Sequence, residues 1–222
     1  MILQEVFPKS GALHDISTED VLSELYPKVN GFRLNYVVSP SVVSADSNLA
    51  SNTVDKTLLK HIRTQSDLII TTGKTARDET LNSSAFAPML ILTQQEEALQ
   101  VPAVDNDSKH PVYLTQRLGT IYQNSKALAV GISQHNIAQF AESFCRANSF
   151  TNVVIETGMT LARKFGETNL IAELNLSVTG ITLQHDAQKA LEDFLDSLSL
   201  RGFQSIQLLN HNDSWFFRCR SV

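Results

Sequence analysis

The chain has 222 residues, of which 42% are hydrophobic and 18% are charged, and its formal net charge is −5. This is the composition of an ordinary globular protein, and the negative charge argues against nucleic acid as a partner, because phosphate backbones bind basic surfaces. No apolar run reaches the roughly 18–20 residues that a membrane-spanning helix needs, so no membrane partner is expected.

The N-terminus and the scattered reactive residues argue against several other classes of protein. The opening residues, MILQEVFPKSG, lack the basic segment and apolar core of a signal peptide, so we expect a cytoplasmic location. The histidines form no i, i+4 pair and the two cysteines have no metal-like spacing, so no metal site is predicted. No G-x-S-x-G sequence occurs, which argues against an esterase.

The first half of the chain is predicted to alternate between helices and strands. A short helix that begins with a capping pattern at Ser17 and ends before Pro27 is predicted first. A strand is then predicted over residues 32–39, which are rich in β-forming residues. Apolar residues at helical spacing then predict an amphipathic helix over residues 53–66. Buried strands follow at four places, which are residues 67–71, 87–93, 110–115 and 126–130.

The second half continues the alternation and then changes character. Helices are predicted over residues 133–148, 159–168 and 187–200, with a strand over 152–156 and a terminal hairpin around 211–213. In residues 172–179, apolar and polar side chains alternate strictly, which is typical of an antiparallel strand with one solvated face.

This order of elements predicts the fold class and the domain organisation. Strands that alternate with helices and end in an antiparallel region favour a three-layer α/β/α sandwich with a mixed, mostly parallel central sheet. No internal linker is visible, so we expect one domain over residues 1–222, with residues 1–30 as an N-terminal extension that carries the first short helix.

Three turns that follow predicted strands share one chemistry. Each has a glycine with a hydroxyl residue within two positions of it, and the three turns are Thr72-Gly73-Lys74-Thr75, Gly131-Ile132-Ser133 and Thr157-Gly158-Met159-Thr160. The first is not a P-loop, because Leu68 stands where the motif needs its first glycine. Turns of this kind at one sheet edge predict a ligand that carries phosphate. The alternative is that the same residues serve only as helix caps and turn residues.

Two segments resemble a known family of reductases. In DLIITTGKTARDE the residues Thr75, Arg77 and Glu79 match the strand and turn of the reductase domain of the bifunctional riboflavin-biosynthesis deaminase/reductase, which also occurs as a stand-alone pyrimidine reductase. In NVVIETGMTLARKFGETNLIAELNLSV the matching residues are Glu156, Gly158, Leu161, Glu173 and Leu174. With the terminal hairpin, the resemblance covers roughly residues 30–220.

The resemblance implies a fold, a reaction and a cofactor. The fold would be dihydrofolate reductase-like and the protein a homodimer. The reaction would be the NADPH-dependent reduction of the ribosyl group of 5-amino-6-(5-phosphoribosylamino)uracil, or of a close relative, to the ribityl form. The partner would thus be a phosphoribosylated pyrimidine, and the protein would mainly position cofactor and substrate.

The resemblance also implies the residues of the site, although it identifies no catalytic residue. Asn35 and Ser39, at the end of the first strand, would face the substrate, and a shifted register would use Asp46 instead. The cofactor would contact residues in and next to the three turns, which are Thr72, Gly73, Thr75, Arg77, Gly131, Glu156, Thr157, Gly158, Met159 and Thr160. Lys74 and Arg77 are candidates for the NADP 2′-phosphate, with solvated surface as the alternative.

The chain departs from the family at several positions, and these departures keep other functions open. The Asp-Gly that usually follows the first strand is absent in the register of Ser39, Thr157 replaces a glycine whose lack of a Cβ permits close backbone approach, and an arginine that would bind the substrate phosphate is missing after Glu79. The alternatives are a non-catalytic nucleotide-binding paralogue, a reductase for a different small substrate, and a structural dimerisation module.

Overall fold

A computed structural model describes residues 1–38, 53–93, 101–117, 128–132 and 136–221. The strands are β1 (Ile2–Phe7), β2 (Leu13–Asp15), β3 (Gly31–Val38), β4 (Leu68–Thr72), β5 (Met89–Leu92), β6 (Val112–Arg117), β7 (Leu128–Ile132), β8 (Asn152–Glu156), β9 (Ile171–Thr179), β10 (Phe203–His211) and β11 (Ser214–Ser221). The helices are α1 (Glu19–Leu25), α2 (Thr53–Thr64), α3 (Gly73–Asp78), α4 (Pro102–Asp105), α5 (Ile137–Ala147), α6 (Met159–Gly166) and α7 (Gln184–Ser197).

The strands of the described ranges form one sheet in the order β2-β1-β10-β11-β9-β3-β8-β4-β5-β6-β7. The strands from β9 to β7 in this order run parallel, whereas β11, β10, β1 and β2 add antiparallel pairs at the other end. The central strand β3 lies between β8 and β9, so residues near position 35 pair with residues near positions 156 and 175.

Helices cover both faces of the sheet, because each presents an apolar stripe to it. On one face α2 buries Val54, Leu58 and Ile62, and α1 packs beside it. On the other face α5, α6 and α7 pack over the opposite side chains of the same strands. The predicted three-layer α/β/α sandwich with a mixed, mostly parallel sheet is therefore confirmed.

Three local features differ from the sequence prediction. Two strands near the N-terminus, β1 and β2, were not predicted, and β1 pairs with β10 from the far end of the chain. The turn after β4 begins a short helix at Gly73, which was also not predicted. Gly131 lies inside β7, opposite Gln116 of β6, so the strand continues through the position where a turn was predicted.

The prediction of one solvated face for β9 is wrong, because both of its faces are buried. Its polar side chains are matched by partners from distant segments. The fully buried carboxylate of Glu173 pairs with Nε of Arg33 at 3.0 Å, of Arg218 at 3.1 Å and of Arg220 at 2.8 Å. β9 runs antiparallel to β11, as its pattern suggested, but parallel to β3 on its other side.

We expect Glu173→Gln to lower the free energy of unfolding by roughly 3–5 kcal/mol, because it leaves the buried guanidinium groups without their counter-charge. Urea unfolding followed by circular dichroism measures this loss. The matched control is Glu142→Gln, which breaks an exposed pair with Arg146 on α5 and is expected to have little effect. An equally small effect of both substitutions would contradict the importance of the cluster.

Asp67 joins the start of β4 to the start of β8. Its Oδ2 accepts hydrogen bonds from the backbone N–H and hydroxyl of Thr151 and from the backbone N–H and side-chain amide of Asn152, at 2.9–3.1 Å. Partial burial raises the pKa of Asp67, but these hydrogen bonds to the charged form outweigh it and lower the pKa to about 2.

Because this pKa is lowered, the stabilisation by Asp67 is present above the pKa of the unfolded state, near 3.9. It is lost as the pH falls toward 2. We therefore expect Asp67→Asn to lower stability at neutral pH and to flatten the loss of stability between about pH 5 and pH 2. Thermal melts across this range test it, and a variant whose acid profile keeps the wild-type slope would argue against the assignment.

Candidate functional site

A cleft with a volume of about 1420 Å³ opens at the carboxyl ends of the parallel strands. The topology creates it at this place. From β3 the chain passes over one face of the sheet through α2 to β4, whereas from β8 it passes over the other face through α6 to β9. Where neighbouring connections diverge to opposite faces, the ends of the strands are left uncovered, which is the usual position of a ligand in such sheets.

The N-terminus of α6 faces this cleft and has no side-chain cap. Gly158 is the N-cap residue, and as a glycine it has no side chain to cap the first turn of the helix. A Cβ added to Gly158 would meet no atom within 4 Å, so the space above this residue is open. The neighbouring Thr157, Met159 and Thr160 also line the cleft. An uncapped first turn presents backbone N–H groups and the positive end of the helix dipole, which suit an anion.

The turn before α3 is closed by its own side chains. The hydroxyl of Thr72 accepts a hydrogen bond from the backbone N–H of Thr75 at 3.0 Å, and the two hydroxyl oxygens lie 2.9 Å apart. Gly73 is buried, and a Cβ there would lie 3.0 Å from Cβ of Thr93. At this turn the capping interpretation therefore has direct support, and the glycine permits close packing against the end of β5.

The two basic residues of α3 differ in their surroundings. Lys74 forms an exposed ion pair with Asp78 one helical turn further on. Arg77 is exposed and also lines the cleft. Of the two candidates for a 2′-phosphate, Arg77 is thus the one whose charge is not already matched on its own helix.

An ion pair that the sequence analysis missed crosses the cleft floor. Arg63 of α2 donates two hydrogen bonds to the carboxylate of Glu156, and the bond from Nε to Oε1 is 2.8 Å long. Both residues line the cleft. Glu156 is therefore the counter-ion of Arg63, and a role beside the cofactor phosphates remains a prediction. The available signal was that Asp55, Leu59 and Arg63 recur at i, i+4, i+8 beside the apolar stripe of α2.

Asp55 is a second residue that sequence reasoning missed. Its side chain is 7% exposed, it lines the cleft, and its Oδ1 accepts a hydrogen bond of 2.5 Å from the hydroxyl of Ser177 on β9. Burial raises the pKa of Asp55, and the hydrogen bond from Ser177 only partly opposes this. The environment thus favours a carboxyl group that retains its proton to higher pH than an exposed aspartate.

The floor of the cleft on the α2 face is a row of polar side chains across four strands. Asn175 of β9 lies opposite Asn35 of β3, which lies opposite Glu156 of β8, and Thr71 follows on β4. The amide of Asn175 donates a hydrogen bond of 2.9 Å to Oδ1 of Asn35. Nδ2 of Asn35, Oδ1 of Asn175 and the hydroxyl of Thr71 are buried and have no hydrogen-bond partner in the part of the chain that is described.

Most of the predicted site residues come together in this cleft. Asn35 lines it, as do the residues of two of the three predicted turns, which are Thr72, Gly73, Thr75, Arg77, Glu156, Thr157, Gly158, Met159 and Thr160. Ser39, Asp46 and the third turn's Ser133 lie outside the described residues.

Metal and membrane chemistry receive no support from the described ranges. Within residues 1–38, 53–93, 101–117, 128–132 and 136–221, no three histidine, cysteine, aspartate or glutamate side chains are grouped as metal ligands would be. In the same ranges no helix combines the length and apolar character required to cross a bilayer.

Comparison with known proteins gives likenesses of structure but not of sequence. No family model matches the sequence, and no curated protein matches it. A pyrimidine reductase-like protein from Corynebacterium diphtheriae superposes with a TM-score of 0.69 at 13% identity, over 92% of this chain and 98% of the other. The riboflavin biosynthesis reductase of Saccharomyces cerevisiae gives a TM-score of 0.59 at 10% identity, over 87% and 90% of the chains.

A bifunctional enzyme is also similar over one of its parts. The diaminohydroxyphosphoribosylaminopyrimidine deaminase/5-amino-6-(5-phosphoribosylamino)uracil reductase of Thermotoga maritima superposes with a TM-score of 0.67 at 11% identity, over 87% of this chain but only 57% of its own. The chain therefore has the fold of the pyrimidine reductases. The resemblance read from the sequence is confirmed at the level of the fold.

The two cleft glycines give a matched pair of substitutions. Gly73→Ala is expected to lower the free energy of unfolding by about 1–3 kcal/mol, because its methyl group would press on Thr93. Gly158→Ala is expected to cost less, since its methyl group enters open space. Thermal or urea unfolding of both variants tests the contrast, and the reverse order of stabilities would contradict this account of Gly73.

Proposed function

We propose that the chain is an NADPH-dependent reductase that converts the ribosyl group of 5-amino-6-(5-phosphoribosylamino)uracil, or of a close relative, to the ribityl form in riboflavin biosynthesis. The observation that carries the proposal is the cleft itself. It joins an uncapped helix N-terminus above Gly158 to a buried polar floor, in a fold shared with pyrimidine reductases. A homodimer and a cytoplasmic location accompany the proposal as predictions.

The residues around α6 fit the diphosphate of NADPH. The open space above Gly158 allows a phosphate to approach the first turn of α6, including the backbone N–H group of Thr160. The hydroxyl of Thr157, which is buried and lacks a partner among the described residues, adds a donor beside them. The crowding expected from the Cβ of Thr157 stays a prediction, since the open space is at Gly158.

The rest of the cleft supports a division between cofactor and substrate. Arg77, an exposed residue of α3 that lines the cleft, is proposed to bind the 2′-phosphate. The substrate is proposed to lie on the α2 face, over Asn35 and Asn175. When bound, NADPH supplies the hydride, and the reduction also consumes one proton.

Asp55 is the residue proposed to hold that proton. It is buried in the cleft wall, and the hydroxyl of Ser177 fixes the orientation of its carboxyl group through Oδ1. Because burial raises the pKa of Asp55, the protonated form persists to higher pH than in an exposed aspartate. Glu156 is instead held by Arg63 in a two-hydrogen-bond ion pair, so the two carboxyl groups have separate roles.

We expect Gly158→Ala to weaken NADPH binding about tenfold or more, because the added methyl group holds the diphosphate away from the N–H groups of α6. Fluorescence titration of NADPH measures the affinity. Glu142→Gln, at a position on α5 that does not line the cleft, is the control and should bind as the wild type does. A wild-type protein that binds no NADPH at millimolar concentration would exclude the reductase.

Turnover distinguishes the proposed substrate from the alternatives. The wild-type protein should oxidise NADPH in the presence of 5-amino-6-(5-phosphoribosylamino)uracil, and Asp55→Asn should lower kcat more than it changes the affinity for NADPH. Binding of NADPH without turnover of this compound would instead favour a reductase for another small substrate or a non-catalytic paralogue.

A further inference from the structure

The two cleft asparagines form a pair that is incomplete without a ligand. One hydrogen bond joins them, from Nδ2 of Asn175 to Oδ1 of Asn35, at 2.9 Å. The remaining atoms, Nδ2 of Asn35 and Oδ1 of Asn175, are buried without partners in the described residues. Asn175 is only 8% exposed, and both residues line the cleft. A buried polar group without a partner is unfavourable, so a ligand that matched both atoms would remove this cost.

The pair offers one donor and one acceptor whichever way the amides are oriented. With the hydrogen bond as found, Asn35 keeps a free donor and Asn175 a free acceptor. If both amide groups are rotated by half a turn, Asn35 donates to Asn175, which leaves an acceptor on Asn35 and a donor on Asn175. The chemistry that the pair presents is therefore the same in both cases, and only its direction along the row changes.

We propose that Asn35 and Asn175 together bind a planar amide edge, in which a carbonyl oxygen and an N–H group lie side by side. The donor of the pair meets the carbonyl oxygen, and the acceptor meets the N–H group. This specificity rests on the proposed reductase function and names the two residues that would select its ligand. The proposal gives Asn175 a role equal to that of Asn35, although the sequence analysis predicted only Asn35 as a site residue.

The uracil ring of the proposed substrate suits this pair in either orientation. Its N3–H lies between two carbonyl groups, so it presents an acceptor beside a donor in both directions along its edge. The carboxamide of nicotinamide presents the same two groups and is the other source of this chemistry. The position of the pair favours the uracil ring, because it lies on the α2 face of the sheet, opposite the face on which α6 packs.

The test compares ligands that differ at the amide edge. The wild-type protein should bind 5,6-diaminouracil about tenfold more tightly than its 3-methyl derivative, which has lost the donor. In Asn35→Leu and Asn175→Leu, this ratio should fall to about one. The ratio does not depend on the folded fraction of a variant, so partial unfolding cannot imitate the result. Asn148→Leu, an exposed position at the end of α5, is the matched control and should keep the ratio.

A second arm identifies the source of the amide. NADPH is compared with 2′-phospho-ADP-ribose, which lacks the nicotinamide ring. If the Asn35→Leu and Asn175→Leu variants lose affinity only for 5,6-diaminouracil, the pair binds the substrate. If they lose affinity for NADPH but not for 2′-phospho-ADP-ribose, the pair binds the nicotinamide. Unchanged ratios for both ligand pairs in both variants overturn the inference, and if NADPH still binds, the proposed function survives. A wild-type protein that binds none of these ligands overturns both.

Discussion

The buried carboxylate of Glu173 is the interaction on which the architecture of the cleft depends. By pairing with arginines from β3 and β11, it fixes the register of β9 against both neighbours. Alternate residues of a strand face the same side of the sheet, so this register also fixes where Asn175 and Ser177 emerge on the α2 face. A slip of one residue would send both side chains to the opposite helical layer. Glu173 of the electrostatic cluster and the cleft residues Asn175 and Ser177 are thus successive residues on the same face of β9.

The two helix N-termini at the cleft illustrate how one sequence pattern can lead to different physical outcomes. Both follow a buried strand and both contain a glycine and threonines, yet the Thr72 hydroxyl satisfies the first turn of α3, while α6 is left uncapped at Gly158. A first turn whose backbone N–H groups have no side-chain acceptor can still bind an anion. In a capped turn, some of these N–H groups already donate to the capping side chain. The charges across the cleft floor are also balanced locally, since Arg63 and Glu156 neutralise each other. The floor is consequently rich in hydrogen-bonding groups and carries little net charge.

Features governed by local periodicity could be predicted from the sequence, and features governed by distant partners could not. The apolar stripes of α2 and α5 and the buried run of β8 were recognisable because their own residues encode them. The strand β1 is short and partly exposed, and it exists because β10, some 200 residues later, provides its hydrogen bonds. The polar residues of β9 suggested solvent, since nothing nearby in the sequence shows that Glu173 meets three arginines. Arg63 and Asp55 likewise belong to the site only through contacts with β8 and β9.

The pairing of Asn35 with Asn175 also has a consequence for how the protein is made. The two residues are separated by 140 positions, and β8, the neighbour of β3 on its other side, also comes from the second half of the chain. A nascent chain that has emerged only as far as α5 therefore has neither neighbour for β3 and no floor for the cleft. In such a chain, β3 has unpaired backbone groups along both of its edges, and strands with unpaired edges associate with other chains. Ribosome stalling or truncation before β9 would thus yield an aggregation-prone product rather than a partly active one.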